Sequence, residues 1–440
     1  MYAKNLKKIK SKQAIIGIIG LGYVGLPLSK SFTNQSIKVI GFDIDEAKIT
    51  SLDQGKSYIK HISNDAIAEM KDGNLFQPTS EFSKLSDVDV IIICVPTPLS
   101  KSRDPDLSPV LDTAKTIAKY IKKGQLIILE SSTYPATTDE ELGGALELSG
   151  LTKGIDFFIA YSPEREDPGN KVFSTSTIPK IVGADTKESS DLAVALYESI
   201  ISKVITVSSS RTAEAVKLTE NIFRSVNIAL VNELKVIFDA MGIDIWEVVD
   251  AAATKPFGYM PFYPGPGLGG HCIPIDPFYL TYKAREFGIS TKFIELAGEI
   301  NTFMPAYVVS KLGTALNNTA GKAISGSRIL LLGLSYKKDI DDTRETPTLV
   351  IMKHLISLGS TVDFHDPFVE KIGIMRDHPE LQGKYGVSLD SESLKNYDAV
   401  VICTDHSMVD YSLIGNYAKL IVDTRNAMSG LTVTGHLVKA

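Results

Sequence analysis

The sequence predicts an α/β protein: two Rossmann-like, doubly wound parallel-sheet domains joined by a helical central region with one long helix. Three observations carry this prediction. Near the amino terminus the apolar run "AIIGIIG" ends in a glycine turn and leads to a second apolar run closed by an acid, "KVIGFD". The last third repeats that plan with "RILLLGLS" and "TVDFHDP". Between them, "TAEAVKLTENIFRSVNIALVNELKVIFDAMG" (212–242) holds no proline and no glycine before Gly242.

Each element follows from its pattern. In the first third, "DVIIICVPTP" (89–98) and "QLIILESST" (125–133) continue the series of apolar runs. Continuous apolar runs alternating with helix-length segments read as parallel strands buried on both faces. In the last third, "DAVVICTDH" (398–406) and "KLIVDTR" (419–425) follow in the same order. The middle helix runs to nearly 30 residues, roughly 45 Å at 1.5 Å per residue, and Gly242 suits its stop. Such a helix can bridge two domains, and its apolar face offers a dimer surface. A second helix is expected over about 288–316, followed by a junction in "NNTAGKAISGSR". The boundaries read 1–205 for a nucleotide domain, 206–318 for the helical middle and 319–440 for the second α/β domain.

Bulk properties narrow the partners. At 440 residues the chain exceeds what one core supports. It is 44% hydrophobic and 22% charged with net charge -6, so no polybasic field invites nucleic acid or an anionic membrane. Five lysines before the uncharged stretch Ala14–Ser29 outline a signal peptide. Gly17, Gly20, Gly22, Gly25 and Pro27 inside that stretch, without a small-residue cleavage site, favour a nucleotide-binding turn instead. Nothing else approaches the ~20 apolar residues of a membrane span. Three distant cysteines and no CxxC argue against a disulfide framework and fit a reducing cytoplasm. No metal site is expected. Cys94 and Cys403 sit in strand-like runs and read as core thiols, whereas Cys272 does not.

"GIIGLGYVG" sets Gly20, Gly22 and Gly25 in G-x-G-x-x-G spacing between a strand and a helix, with Asp43 eighteen residues beyond Gly25. That context is a dinucleotide fingerprint. Gly20 permits the turn, Gly22 lets backbone approach a pyrophosphate, and Gly25 lets helix pack on strand. Asp43 would accept bonds from the adenosine ribose and repel a 2′-phosphate, which selects NAD over NADP. Tyr23 and Val24 in the turn, and Lys48 beyond Asp43, complete this side of the expected cofactor site. Pro96 and Thr97 in "CVPTP", and Thr133 in "ESSTYPATT", follow strand ends, where ligands of such sheets bind.

Cys272 follows the glycine-rich "FYPGPGLGGH" and precedes Asp276 by four residues. A thiolate beside a nicotinamide suits aldehyde chemistry: a thiohemiacetal forms, hydride leaves, and the thioester is hydrolysed. Gly265, Gly267, Gly269 and Gly270 would let backbone approach a substrate. His271 could be an activating base, but adjacent side chains rarely face one another. Asp276 is better placed if Pro274 and Pro277 turn the chain back. Lys217 and Asn221 share a helix face, which Arg224 extends. They would stabilise an oxyanion or form a solvated face. Glu164 in "YSPERED" is a base for water or part of an acidic surface loop.

"GLGYVGLPLS", "CVPTP", "YSPERE", "AEAVKLTEN", "FYPGPGLGGHCIPIDP" and "GLSYKKDIDDTRETP", in this order, resemble the UDP-glucose/GDP-mannose dehydrogenase family over essentially the whole chain. The resemblance implies an NAD-dependent enzyme that oxidises a sugar-nucleotide primary alcohol to the carboxylate, using two NAD per substrate. It implies an N-terminal NAD domain, a helical dimer-forming middle giving a homodimer or higher homo-oligomer, and a C-terminal UDP-sugar domain. Cys272 matches the catalytic cysteine, and Lys217 and Asn221 the helix pair beside the reacting carbon. Asp276 matches the aspartate that activates the hydroxyl or water, Glu164 the glutamate assisting thioester hydrolysis, and Thr133 the threonine that holds a water. Lys337 and Arg344 match positions contacting substrate and cofactor respectively. Arg165, Arg224, Tyr263, Gly267 and Gly269 join Glu164, Lys217 and Asn221 as expected substrate contacts, and His271 is a loop residue. "SRDPDLS" (102–108) and the segment before Cys272 most resemble the branch acting on UDP-N-acetylglucosamine. UDP-glucose, UDP-N-acetylgalactosamine and UDP-N-acetylmannosamine stay open as substrates. The pattern departs at Ala136, where relatives often have glycine, and at Ser335, often alanine. Two other classes compete: a nucleotide-binding protein without turnover, and a two-electron hydroxyacid dehydrogenase. The latter would need neither Cys272 nor a second α/β domain.

Overall fold

The computed structural model describes the chain apart from residues 60–61, 101–102, 166–175, 271, 374 and 376–377. It divides into two compact units, Met1–Glu220 with Phe278–Ser290, and Asn221–Pro277 with Thr291–Ala440.

The first unit is built on eight strands: β1 (Ile16–Ile19), β2 (Val39–Phe42), β3 (Phe76–Thr79), β4 (Val90–Ile93), β5 (Leu126–Leu129), β6 (Phe158–Tyr161), β7 (Lys180–Gly183) and β8 (Val204–Val207). Their order is β3-β2-β1-β4-β5-β6-β7-β8, parallel except where β7 meets β6. The apolar runs are strands because both sheet faces are covered. Val90 and Ile92 point into one core, Ile91 and Ile93 into the other. β1 pairs with β2 on one side and β4 on the other, so the chain reverses its direction of travel across the sheet beside the first glycine turn. Ligands of open α/β sheets bind at that point.

The second unit holds a five-stranded parallel sheet: β9 (Arg328–Leu332), β10 (Thr361–His365), β11 (Ala399–Ile402), β12 (Leu420–Asp423) and β13 (His436–Lys439), ordered β10-β9-β11-β12-β13. Helices Ile245–Ala253 and Phe293–Ala320 also belong to it. The long helix, Ser210–Met241, passes through the boundary between units. In the second unit buried amides tie its elements together. Asn232 donates to Asn301 at 2.9 Å, Asn301 donates to the Ser225 carbonyl at 3.1 Å, and the Gly265 amide donates to Asn232 at 3.0 Å.

The expected helix at 288–316 lies instead at Phe293–Ala320, ended by Gly321 in the left-handed conformation, φ 61°. Pro305 sits inside it without ending it. Cys403 is fully buried past β11, whereas Cys94, read as a core thiol, lies just past β4 and is only partly buried. Strands β3, β6, β7, β8 and β13 and the N-terminal helix Tyr2–Lys10 are not among the elements expected above. β3 carries a proline, and β8 and β13 are edge strands with half-exposed residues. Among the described residues, no helix is long and apolar enough to cross a membrane.

Candidate active site

The first glycine turn uses its three glycines for three different reasons. Gly20 has φ 92°, and a Cβ there would lie 2.6 Å from the Cys94 carbonyl oxygen. A Cβ on Gly25 would lie 1.9 Å from the Gly20 carbonyl oxygen, so only glycine lets helix Gly25–Thr33 start there. Around Gly22 nothing lies within 4 Å of a Cβ. The helix has no side-chain cap and no acid in its first turn. An open backbone face before an uncapped helix N-terminus is what a pyrophosphate requires. Asp43, buried after β2, accepts from the Leu21 amide at 2.9 Å and the Asp45 amide at 3.0 Å, and pairs with Lys48 at 3.3 Å. Tyr58, unmarked in the sequence, donates its hydroxyl to the Leu21 carbonyl at 2.5 Å. Tyr23 and Val24 are partly exposed along the turn.

The next two strand ends face the same edge of the sheet. Pro96 is exposed and Thr97 buried; the Thr97 carbonyl accepts the Tyr279 hydroxyl at 2.8 Å. Ser131 donates to the Val95 carbonyl at 2.7 Å. Thr133 is fully buried, and its hydroxyl has no hydrogen-bond partner. A buried hydroxyl without a partner calls for a water or ligand atom. With the open face at Gly22, it makes the first unit fit a bound dinucleotide.

Glu164 and Arg165 follow β6. Lys217 is buried and donates to the Glu164 carbonyl at 2.5 Å, which removes the solvated-face alternative for this lysine. Arg165 pairs with Glu220 at 2.5 Å and donates to the Pro179 carbonyl at 2.6 Å, fastening the loop to the long helix. Glu214, one turn before Lys217, is also buried and accepts from the Ala136 and Thr138 amides at 2.7 and 2.8 Å. Its neighbour Ala136 has φ 86°.

In the second unit the Cys272 loop turns as the prolines suggested. The Cys272 carbonyl accepts the amides of Ile275 at 3.2 Å and Asp276 at 2.8 Å, and helix Asp276–Glu286 begins there with Pro277 in its first turn. Asp276 is buried, and its carboxylate accepts the Asn221 amide. The Asn221 carbonyl in turn accepts the Arg224 guanidinium. This Arg224–Asn221–Asp276 relay fixes which way the amide points. His271 lies outside the described residues.

The loop glycines approach protein rather than open space. A Cβ on Gly269 would meet Tyr336 at 2.4 Å, one on Gly265 would meet Arg425 at 2.5 Å, and Gly267 has φ 135° with Pro347 3.1 Å away. The Gly270 amide donates to the Arg344 carbonyl at 3.0 Å. Arg344 is exposed, and its guanidinium pairs with Asp342 at 2.6 Å. Lys337 is partly exposed, its carbonyl accepting Ser335 at 3.1 Å. Tyr263 is half-exposed and donates to Asp250 at 2.7 Å. The turn after β9 differs from the first glycine turn: His406 fills it. His406 Nε2 bonds Asp366 and Ser335 at 3.0 Å each, while its Nδ1 accepts the Asp339 amide at 3.0 Å.

Within the second unit the fold thus brings Cys272, Asp276, Asn221 and Arg224 together. Within the first it gathers Glu164 with Lys217, and the glycine turn with Asp43 and Lys48. Glu214 and Tyr58 were missed, because a lone acid or tyrosine carries no sequence mark of its burial. Among the described residues, no cluster of His, Cys, Asp and Glu could hold a metal ion.

The NAD-binding, central and UDP-binding domains of the UDP-glucose/GDP-mannose dehydrogenase family match residues 14–201, 211–303 and 330–430. The chain is 39% identical to UDP-N-acetyl-D-glucosamine 6-dehydrogenase of Pseudomonas aeruginosa, over 90% of this chain and 91% of that one. It is 36% identical to UDP-N-acetyl-D-mannosamine dehydrogenase of Pyrococcus horikoshii, over 93% of this chain and 95% of that one. The solved structure of the UDP-D-ManNAc dehydrogenase from Pyrococcus horikoshii superimposes with a TM-score of 0.87 at 33% identity, covering 96% of this chain and 98% of that one. With its open NAD turn and its α/β UDP-binding domain, the chain belongs to the UDP-glucose/GDP-mannose dehydrogenase family and is an NAD-dependent enzyme of the UDP-sugar dehydrogenase type.

Proposed function

We propose that this protein oxidises the C6 hydroxymethyl group of UDP-N-acetylglucosamine to the uronic acid, reducing two NAD per sugar. The observation that carries the reading is the Arg224–Asn221–Asp276 relay beside the Cys272 turn. A buried carboxylate held by an amide at the first turn after a cysteine suits proton transfer. NAD, when bound, accepts a hydride at each oxidation.

On this reading Asp276 takes the proton from the C6 hydroxyl as it becomes an aldehyde. The Cys272 thiolate then bonds to that carbon, giving a thiohemiacetal whose oxyanion is stabilised by Lys217 and Asn221. Loss of the second hydride leaves a thioester. Glu164, with a water at Thr133, hydrolyses it and releases the acid and the thiolate. Gly20, Gly22, Tyr23, Val24, Gly25, Asp43, Lys48, Pro96, Thr97 and Arg344 are assigned to NAD. Arg165, Arg224, Tyr263 and Lys337 are assigned to the sugar nucleotide. Residues 1–205 form the NAD domain, 206–318 the pairing and cysteine-loop region, and 319–440 the UDP-sugar domain.

Two relatives named UDP-N-acetyl-D-glucosamine 6-dehydrogenase, at 39% and 36% identity, support the choice of sugar. A second reading, UDP-N-acetylmannosamine, is favoured by the TM-score of 0.87 to the Pyrococcus horikoshii structure. We place the enzyme in the cytoplasm, where NAD and its three free thiols are at home. It acts as a homodimer paired through the long helix. Assaying a panel of UDP-sugars with NAD tests the chemistry. The expected result is two NADH per acid, fastest with UDP-N-acetylglucosamine, and at least 100-fold slower net oxidation in Cys272→Ser. One NADH per product would reject the thioester route, and no turnover with any sugar would leave a nucleotide-binding protein.

A further inference from the structure

Lys180 opens β7, the strand that reverses direction in the first sheet. β6 and β7 pair antiparallel through Tyr161 and Gly183. Carried past the end of β6, that register sets Lys180 opposite Glu164. Had β7 run parallel to β6, its first residue would lie at the amino edge of the sheet, away from the ligand side. The antiparallel turn therefore delivers a cation to the edge where the expected base sits.

The surroundings of Lys180 are those of a built charge site. Its side chain is 5% exposed. The ammonium lies 2.9 Å from Glu130 Oε2 and 3.4 Å from Glu164 Oε2. Glu130, at the end of β5, is completely buried and also accepts the Tyr197 hydroxyl from helix Lys187–Tyr197. The Lys180 ammonium stands 5.2 Å from the centre of the Tyr197 ring. Glu164 is the more open carboxylate, 16% exposed. Among the described residues, the polar groups at the cluster also include the Cys94 thiol, past β4, Ser162 against Tyr197, and the Arg165 amide, which donates to Glu164 Oε1 at 2.8 Å. Lys217 meets the Glu164 backbone carbonyl rather than its carboxylate.

We propose that Lys180 is a positioning residue, anchored by Glu130, that holds the Glu164 carboxylate in place and ionised for thioester hydrolysis. The proposal rests on the reading of Glu164 as the hydrolytic base. In that step the water oxygen bonds to the thioester carbon and one water proton passes to Glu164. The carbon–sulfur bond breaks, Cys272 leaves as thiolate, and the sugar carries the new carboxylic acid. A base of this kind must be ionised before water arrives, and an ammonium 3.4 Å away secures that. Burial pushes the Glu130 carboxyl up to about 7, with Lys180 opposing, while the two carboxylates outweigh the burial of Lys180 and hold it protonated.

Because Lys180→Met alone strands the buried Glu130, the test pairs it with Lys180→Met/Glu130→Gln, which removes both charges, and with Lys180→Arg. Each variant is loaded with NAD and UDP-N-acetylglucosamine, the Cys272 adduct is followed by intact-protein mass spectrometry, and kcat is measured against pH. The double variant is expected to accumulate the acyl adduct and to shift its acidic limb upward by about one unit or more, as loss of a cation beside a carboxylate requires. Lys180→Arg should restore the limb. An unshifted limb in a folded double variant, with no adduct, overturns the proposal. Glu164→Gln separates the two readings: if it too shows no adduct and normal turnover, the assignment of the base fails first.

Discussion

Glu214 shows how much a single buried acid can decide. It sits in the second turn of the long helix and accepts two amides and the Thr138 hydroxyl, at 2.7 Å, from the loop that carries Thr133. Burial lifts its carboxyl from 4.5 to about 7, against the Thr138 and Ala136 hydrogen bonds that favour the anion. An acid whose pKa rises on folding binds more protons folded than unfolded between the two values, so stability falls as pH rises from about 4.5 to about 7. Glu214→Gln loses one acceptor and is expected to be less stable by about 1–3 kcal/mol at pH 5. Thermal melts should show that gap narrowing by pH 7.5; a gap that widens contradicts the assignment. The same clamp holds Ala136 at φ 86°, which costs an L-residue about 1–2 kcal/mol. Ala136→Gly should raise the melting temperature. In the nucleotide turn, Gly22→Ala should melt as the parent does yet lose at least tenfold in NAD affinity by fluorescence titration. Gly25→Ala should fail to fold the first unit, because a methyl has no room against the Gly20 carbonyl.

At the scale of elements, most strands that the sequence announced are buried on both faces, such as "VIII" and "LIIL", the edge strand β10 being the exception. The silent ones lie at edges, like β3, β8 and β13, or, like β7, carry too short an apolar run to stand out; β6 has the run "FFIAY" and could have been found. Helix Asp276–Glu286 was legible only as a turn, since two prolines hide a helix start until the chain is seen to place Pro277 in its first turn. The long helix gave its length from composition, but its charged and amide groups could have faced solvent. Burial of Lys217 and Asn221 settled that. Asn221→Ala is expected to keep the fold and lower kcat about 100-fold, the cost of removing one fixed donor. Initial-rate measurements of NADH formation check this, and unchanged kcat would remove Asn221 from the chemistry.

At the scale of the molecule, the long helix exposes Phe223, Leu230 and Ile237 at seven-residue spacing, each about half exposed. We propose that this stripe is the seam through which two chains pair. Phe293, Leu296 and Phe303 are exposed on helix Phe293–Ala320. Light scattering should give about twice the 47.8 kDa chain mass, and Leu230→Glu/Ile237→Glu should give the single-chain mass. A parent that already runs as a single chain would reject the homodimer.

By itself the sequence determined the two α/β domains, the glycine turn with its acid, and the cysteine loop, because strand burial, backbone clearance and turn chemistry are local and leave periodic or spaced marks. Only the tertiary structure decided which polar groups meet. It set Asn221 between Arg224 and Asp276, turned the loop glycines toward Tyr336 and Arg425, and brought Lys180 beside Glu164 through a reversed strand. Those pairings join residues far apart in the chain, and the energy of a buried charge depends on what surrounds it, which no local pattern of residues records.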